Sequence, residues 1–487
     1  MSTPALEPAR LSRGATLGYA VGAAGTAGFG TVPGLLLAIY LTNTLGVAAG
    51  IASLVVLLPK LWDVFFLPYV GNLSDRSVAR TGNRARFLVF GAIGMLICFP
   101  LMFAVPAGVG AGIAAAWVLI AFLIAASAFG FFQVPYIALA AEITDSPQER
   151  TTLMSWRVGF QVGGILLFGV GAPVVVSLAS DEYVGYLLMG VAVGGLIALG
   201  MLVCWAVVRR LHRYVTESTA GDHSLRQQFR VAWAARPFRV LIMAFILQAL
   251  GAGAVLAAAP YFSRYVLGVE DFGLVFGVLL VPAVIVMPLW AFVGHRNGKR
   301  RGFIIASFLF MAGLLASLAA HFVPLAVALA LICVTSVGYA GMQMFPLAML
   351  PDTISDDAAR TGHQRAGAFT GVWTAGETAA FAIGPALVLL LLAVTGYIST
   401  TAGETVAQPP LAITGVTLAF SLLPVVLVAS SLPLIWRYPL RESLRGSIQA
   451  AEINSEHLEQ LLLAAAVDRP AAAEGASLED RAAAGGR

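Results

Sequence analysis

Charge is what this chain has least of. Asp, Glu, Lys and Arg together make up 11% of its 487 residues, whereas an ordinary globular domain carries about 25%. Too few polar side chains remain to coat a water-soluble surface of that size. A soluble enzyme and a disordered chain are both excluded. The formal excess of +4 is too thin for the concentrated basic face of a nucleic-acid binder, although the pI is about 9.0. Cysteine is scarce as well. Cys98, Cys204 and Cys333 each sit inside an apolar run. None forms a CxxC pair, and each reads as a small packing residue. The six histidines show no ligand spacing, so neither a metal site nor a cofactor is expected.

What is abundant is apolar length. Hydrophobic residues make up 59% of the chain, and the mean hydropathy is +0.87. About twelve runs reach the roughly 20 apolar residues that cross a bilayer as a helix. Six lie at 15–44, 48–72, 86–106, 112–141, 152–179 and 184–209. Six more lie at 238–267, 271–294, 302–321, 325–349, 367–396 and 410–435. They are continuous and rich in Gly and Ala, as packed membrane helices are, and lack the alternation of barrel strands. Residues 1–14 are polar and the first run is too long for a signal h-region, so it reads as a true span.

Lys and Arg gather in alternate loops. Arg76, Arg80, Arg84 and Arg86 lie between the second and third runs, and Arg150 between the fourth and fifth. Arginines from Arg209 to Arg239 surround the central segment. Arg296, Lys299, Arg300 and Arg301 lie between the eighth and ninth runs, and Arg437, Arg441 and Arg445 follow the twelfth. The opposite loops hold Asp181, Glu182, Glu270, Asp271 and Glu404. The positive-inside rule then predicts an integral protein of the cell membrane with both termini cytoplasmic. The polar stretch 210–236 reads as a linker between 1–209 and 237–437. The tail, 438–487, is expected to carry a weakly amphipathic helix at 446–466 and to be disordered elsewhere.

An ionisable group inside an apolar span is costly and is therefore a functional candidate. Lys60 and Asp63 lie in LPKLWDVFFLPYVG at i,i+3 spacing, on one helix face. The pair suits a structural ion pair, or a site where Asp63 takes a cation or a proton. Glu377, in GVWTAGETAAF, has no basic residue within one turn. It suits proton exchange during a cycle, or a neutral hydrogen-bonded carboxyl. Arg264, in YFSRYVLG, suits snorkelling to the interface or holding an anionic group in a cavity. Gln133 in FFQVPYIAL, Trp373 and Thr374 one turn before Glu377, and Trp62 beside Asp63 add polar and aromatic candidates. Trp stacks on sugar faces and acyl chains, but it also fills helix interfaces.

Between the second and third runs the chain reads GNLSDRSVARTGNRARF, Gly71 to Phe87. This resembles the GxxxDRxGRR loop of the major facilitator superfamily, whose Asp and Arg residues lock helix ends and re-pair as the two halves rock. GHRNGKRRG, between the eighth and ninth runs, looks like the degenerate copy in the second half. KLWDVFFLPYVGNLSDR, PYIALAAEITDSPQERTTLMSWR, YFSRYVLG and LPDTISDDAARTGHQRAGAFTGVWT together resemble the glycoside–pentoside–hexuronide:cation symporters. Melibiose permeases and sodium-dependent lysophospholipid symporters are similar.

The resemblance implies an all-α membrane protein of twelve transmembrane helices in two pseudo-symmetric six-helix bundles, the major facilitator fold. It matches Lys60 and Asp63 to the family's basic residue and first span-two carboxylate, a cation ligand. Arg157 matches an arginine that lines the cavity from the start of span five. Asp352 and Asp356 match acidic residues after span ten at the cytoplasmic gate, where Asp75, Arg76 and Arg84 of the first-half loop also belong.

The departures narrow the function. The family's second carboxylate, in WDxxxDP, falls at Leu67, which follows Phe66. A sodium ion needs about five or six oxygens, and Asp63 alone supplies too few. Proton coupling through Asp63 or Glu377, or uncoupled transport, is expected in place of sodium coupling. The span-one and span-four carboxylates that hold sugar hydroxyls in melibiose permeases fall at Ala27 and Gln133, and the span-eleven lysine at Thr378. The expected substrate residues are Gln133, Arg157, Trp373, Thr374, Thr378, Trp62 and Arg264, around a cavity more apolar than a sugar site. The expected function is secondary transport of a glycoside or an amphipathic, lipid-like solute by a monomer in membrane lipid. The alternatives are a lipid flippase or exporter of the same fold, and a non-transporting receptor or scaffold.

Overall fold

The computed structural model describes residues 11–81, 84–144, 147–209, 225–269, 272–361, 366–404 and 406–439. Helices account for nearly all of it. The first half holds α1 (Arg13–Val32), α2 (Ala49–Thr81), α3 (Ala85–Met102), α4 (Ala111–Glu142), α5 (Pro147–Ser177) and α6 (Glu182–Val208). A short helix, α7 (Leu225–Ala234), precedes α8 (Arg236–Phe262). The second half continues with α9 (Phe272–Ile285), α10 (Met287–Asn297), α11 (Lys299–Ala316), α12 (Leu325–Thr361) and α13 (Ala366–Val394). It closes with α14 (Pro410–Phe420) and α15 (Leu422–Trp436). The linker at 210–224 and most of the tail, including 446–466, lie outside the described residues.

Among the described residues, eleven helical segments are long and apolar enough to cross a membrane, and α14 with α15 counts as one of them. The pair α9 and α10, bent by 46°, makes a twelfth when taken as one span. The run at 271–294 was expected to be continuous. It breaks because Pro288, at the start of α10, has no N–H to donate and its ring crowds the carbonyl one turn back.

Two helices outrun their apolar segments. α2 continues to Thr81, so Asp75 and Arg76 lie on a helix and not in a loop. No Gly or Pro interrupts it between Asn72 and Thr81, and Gly82-Asn83 follows at once. α12 continues to Thr361, so Asp352 and Asp356 also stand on a helix. Asp356 supports that last stretch through a 2.9 Å i,i+4 pair with Arg360.

The two halves pack by the same rule. α1 lies on α5 and α6, as α8 lies on α13 and on the α14–α15 span. α3 lies on α4 and α6, as α11 lies on α12 and α15. α2 lies on α4, as α9 lies on α12. The bundles are joined by α2 against α13 and α5 against α9, which is one contact type used twice with the halves exchanged. Small residues allow the close approaches. A Cβ on Gly384 of α13 would stand 2.7 Å from the Leu250 carbonyl oxygen of α8. This is the interhelical packing that lipid favours.

Candidate functional site

One end of the bundle carries Arg13 and Trp436 and is called here the terminal end; the opposite end is the distal end. The halves are stitched together distally. Ser53 of α2 donates to the Ala386 carbonyl of α13 at 3.1 Å. Beyond α1 the chain makes two π turns, Pro33–Leu37 and Tyr40–Thr44. The second presents Thr42 and Asn43 to the other half. Thr42 Oγ1 lies 2.7 Å from the Tyr261 hydroxyl. Asn43 Nδ2 donates to the Tyr265 hydroxyl at 2.7 Å, and Tyr397 donates to Asn43 Oδ1 at 2.8 Å. The backbone adds Thr400 N to Thr42 O at 2.8 Å and an antiparallel bridge between Leu45 and Thr401. Next to the bridge, the exposed Glu404 carboxyl is held below the usual carboxylate range by the Thr401 N–H.

The Lys60–Asp63 pair lies near the middle of α2. Lys60 Nζ stands 3.7 Å from Asp63 Oδ2, with side-chain exposures of 21% and 6%. It also sits 5.0 Å from the ring centre of Phe29 on α1 and 5.7 Å from that of Phe122 on α4. Asp63 Oδ1 is buried and has no hydrogen-bond partner. Trp62 is half exposed, donates to Ser127 Oγ at 3.0 Å and stacks on Phe66. One turn further, Leu67 Cδ2 comes within 3.0 Å of where a Gly130 Cβ would be, and Phe66 meets Phe131 edge to face. The position of the family's second carboxylate is thus an apolar contact with α4.

Gln133 is six residues past Ser127 on α4, roughly 9 Å nearer the terminal end, so it is not brought beside Asp63. It lies one turn before Tyr136 on the same helix. Arg157 of α5 lies 5.5 Å from the ring centre of Tyr136, one turn from Gln133. Tyr136 and Tyr19 each donate a hydroxyl to the other's carbonyl, at 3.1 and 3.0 Å. Gln133 Oε1 and Arg157 Nε are buried without partners. Two unsatisfied polar atoms in one neighbourhood mark a place where a solute's hydroxyl or anionic group would find bonds.

On α13, Glu377 is half-buried and makes no ion pair among the described residues. Thr374 is exposed and Thr378 half-buried. Trp373 faces away from open space: it is 3% exposed and stacks on Phe245 of α8 at 4.3 Å, with Nε1 unpaired. Arg264 is set apart from these groups. It lies in the π turn Ser263–Leu267 at the distal end, over the ring of Tyr265.

At the terminal end, the described ion pairs lie in the second half, and Arg84 and Arg86 of the first half bond to serines. Lys299 at the start of α11 reaches Asp352 Oδ2 at 2.6 Å and the Ala348 carbonyl at 2.9 Å. Arg84 donates to Ser74 at 3.3 Å and Arg86 to Ser77 at 2.6 Å. Arg76 is exposed; the side chain of Asp75 lies outside the described residues. Burial pushes the Tyr438 hydroxyl up to about 12, and it shares a 2.9 Å bond with Thr353. The sequence reading missed Asn43, Tyr265 and Tyr397, and it did not pair Lys299 with Asp352. The polar triplet Thr42-Asn43-Thr44 at the end of an apolar run was the available signal for the distal network.

Comparison with known proteins places this arrangement. Residues 18–442 match the family described as MFS/sugar transport protein. The chain is 25% identical over 460 residues to the glucuronide carrier protein homolog of Escherichia coli (strain K12), covering 93% of this chain and 98% of that one. It is 24% identical over 488 residues to sodium-dependent lysophosphatidylcholine symporter 1-A of Danio rerio, covering 91% and 88%. A bacterial homolog of the human lysosomal transporter Spinster, crystallised in an inward-facing and occupied conformation, shares the fold. The TM-score is 0.60 at 13% identity, over 87% of this chain and 94% of that one. Paired bundles and a family match over residues 18–442 agree: the chain belongs to the MFS/sugar transport protein family and is a membrane transporter of the glycoside–pentoside–hexuronide:cation symporter type.

Proposed function

We propose that this transporter carries an amphipathic glycoside or lipid-like solute, coupled to protons through Glu377. The observation that carries this reading is Leu67 seated on Gly130. It puts carbon where a sodium site needs a second carboxylate, and a hard cation binds only through several oxygens. Glu377 supports the proton role. It is half-buried near the middle of α13 and makes no ion pair among the described residues. A coupling ion acts only by binding one state better than the other, and a half-buried carboxyl meets that demand by gaining or losing one proton. Gln133 and Arg157, with unsatisfied atoms, would hold the polar head of the solute. Thr374, Thr378 and Trp62 would line the path to it.

The two halves would rock about this site as rigid bundles, with both termini cytoplasmic and the distal seam facing outside. The basic residues clustered at the terminal end support that orientation, and two relatives are named for a glucuronide and a lysophospholipid. The test is thermal stability of the purified protein against sugars, glycosides and lysophospholipids at pH 5.5 and 7.5, with and without sodium. A ligand that binds the native state raises apparent stability. Stabilisation by an amphiphile or hydrophobic glycoside that changes with pH and not with sodium is expected. A sugar response that grows with sodium overturns the reading.

A further inference from the structure

The short helix α7 (Leu225–Ala234) has 10 residues, fewer than the roughly 12–15 that an isolated helix needs to persist in water. It is a separate element, because Ala235 is extended and Pro237 lies in the first turn of α8. One face of α7 rests on α13 and α8, with Ala232 fully buried. Phe229 and Trp233, one turn apart, stack at 5.1 Å, and Phe229 is half exposed. Arg230 is exposed, as is Arg236 just beyond the helix. Neither makes an ion pair among the described residues. At 3.6 residues per turn, the aromatic pair lies between the packed face at Ala232 and the exposed Arg230. Arg226, Arg230, Arg236 and Arg239 all fall between Ser224 and Gln248, and no acidic residue does.

We propose that α7 is an interfacial helix that binds the anionic lipid headgroups of the leaflet at the terminal end. A helix with aromatic rings on one face and arginines on the next lies in the plane of the membrane surface. Its rings enter the boundary between headgroups and acyl chains, and its charges meet the phosphates. The faces of α7 follow that order: protein, then rings, then cations. Its depth also fits, because Arg236 begins the span of α8 and α7 therefore sits where that span enters the bilayer. Guanidinium groups offer planar pairs of donors to phosphate oxygens. The charge is of one sign, so an anionic leaflet complements it and a zwitterionic one does not. Since α7 rests on α13, this grip ties the leaflet to the helix that carries Glu377. The inference goes beyond the coupling reading, and nothing in it depends on which solute is carried.

The experiment is amide hydrogen exchange of the full-length protein in nanodiscs of phosphatidylcholine, with and without phosphatidylglycerol. The amides of 225–236 are expected to exchange several-fold more slowly when phosphatidylglycerol is present, while those in the middle of α11 and α13 stay unchanged. Added salt should shrink the difference. The double variant Arg230→Gln/Arg236→Gln should abolish it, and Arg230→Lys/Arg236→Lys should keep most of it, because the charge remains. Equal exchange in the two lipids overturns the proposal. So does a slowing that survives the glutamine pair, or one shared equally by every helix. Inorganic phosphate added to phosphatidylcholine nanodiscs is expected to change nothing. Equal protection by phosphate would make the arginines a site for a soluble anion and overturn the lipid assignment. Should the glutamine pair fail to fold, the wild-type comparison of the two lipids decides alone.

Discussion

Asn43 and Tyr265 lie 222 residues apart in sequence and share a 2.7 Å hydrogen bond across the distal seam. Tyr397 meets both, at 2.8 Å from Asn43 and 2.9 Å from Tyr265. The amide of one half is therefore held between two phenols of the other, in a setting where Asn43 is only 4% exposed.

Breaking that contact should open the seam. Asn43→Ala takes the amide away from both hydroxyls and leaves them only each other, and each hydrogen bond lost costs about 0.5–1.5 kcal/mol. The cost falls on the distally closed state alone. In a background without Cys98, Cys204 and Cys333, a Gly50→Cys reporter beside Ala393 should react several-fold faster with an impermeant maleimide once Asn43 is Ala. Unchanged labelling would show that the network does not control the seam.

Glu377 and Asp63 should separate in a pH assay. With an identified ligand, Glu377→Gln should abolish accumulation driven by a proton gradient while ligand exchange between equal pools continues. Asp63→Asn should weaken stability more than coupling, because it leaves the Lys60 charge without its carboxylate. Coupling lost in Asp63→Asn and kept in Glu377→Gln would move the proton to α2.

Two glycines offer a packing test. Gly384→Ala must push a methyl group towards the Leu250 carbonyl and the Ala254 amide, at 2.7 and 2.9 Å. Overpacking of this kind costs about 1–3 kcal/mol. Gly30→Ala meets nothing within 4 Å and should stay within about 0.5 kcal/mol of wild type. Thermal midpoints of the two variants check the contrast.

The Lys299–Asp352 pair should matter to rate and not to stability. Lys299 is 44% exposed, and exposed pairs contribute less than about 1 kcal/mol. Asp352→Asn should leave the thermal midpoint almost unchanged and alter the transport rate, read in proteoliposomes. A large stability loss with normal flux would make it a structural pair.

The spans were legible because a bilayer demands some twenty apolar residues in a row, and α3, α4 and α6 begin and end within a few residues of their runs. The break at Pro288 was visible as a proline but not as an end, since many prolines here, Pro135 and Pro173 among them, lie inside unbroken helices. Lys60 and Asp63 were legible as a pair because i,i+3 spacing is local. The aromatic faces beside Lys60 were not, because Phe29 and Phe122 come from other helices and share no spacing with the pair. Trp373 was read as a cavity residue from its nearness to Glu377. Its ring packs instead on Phe245, a residue of α8 that shares no spacing with it in the sequence.

Tyr19 and Tyr136 exchange hydroxyl-to-carbonyl bonds, each ring stacked on the other at 4.6 Å. Such a reciprocal clasp works as a key in a keyway. Sliding α1 along α4 by a single residue would break both bonds at once and unstack the rings, with no neighbouring position where the bonds re-form. The two helices can therefore tilt together but cannot creep past one another. A push received by the π turn beyond α1, where Asn43 meets the other half, would reach α4 through this clasp as displacement, not as slack.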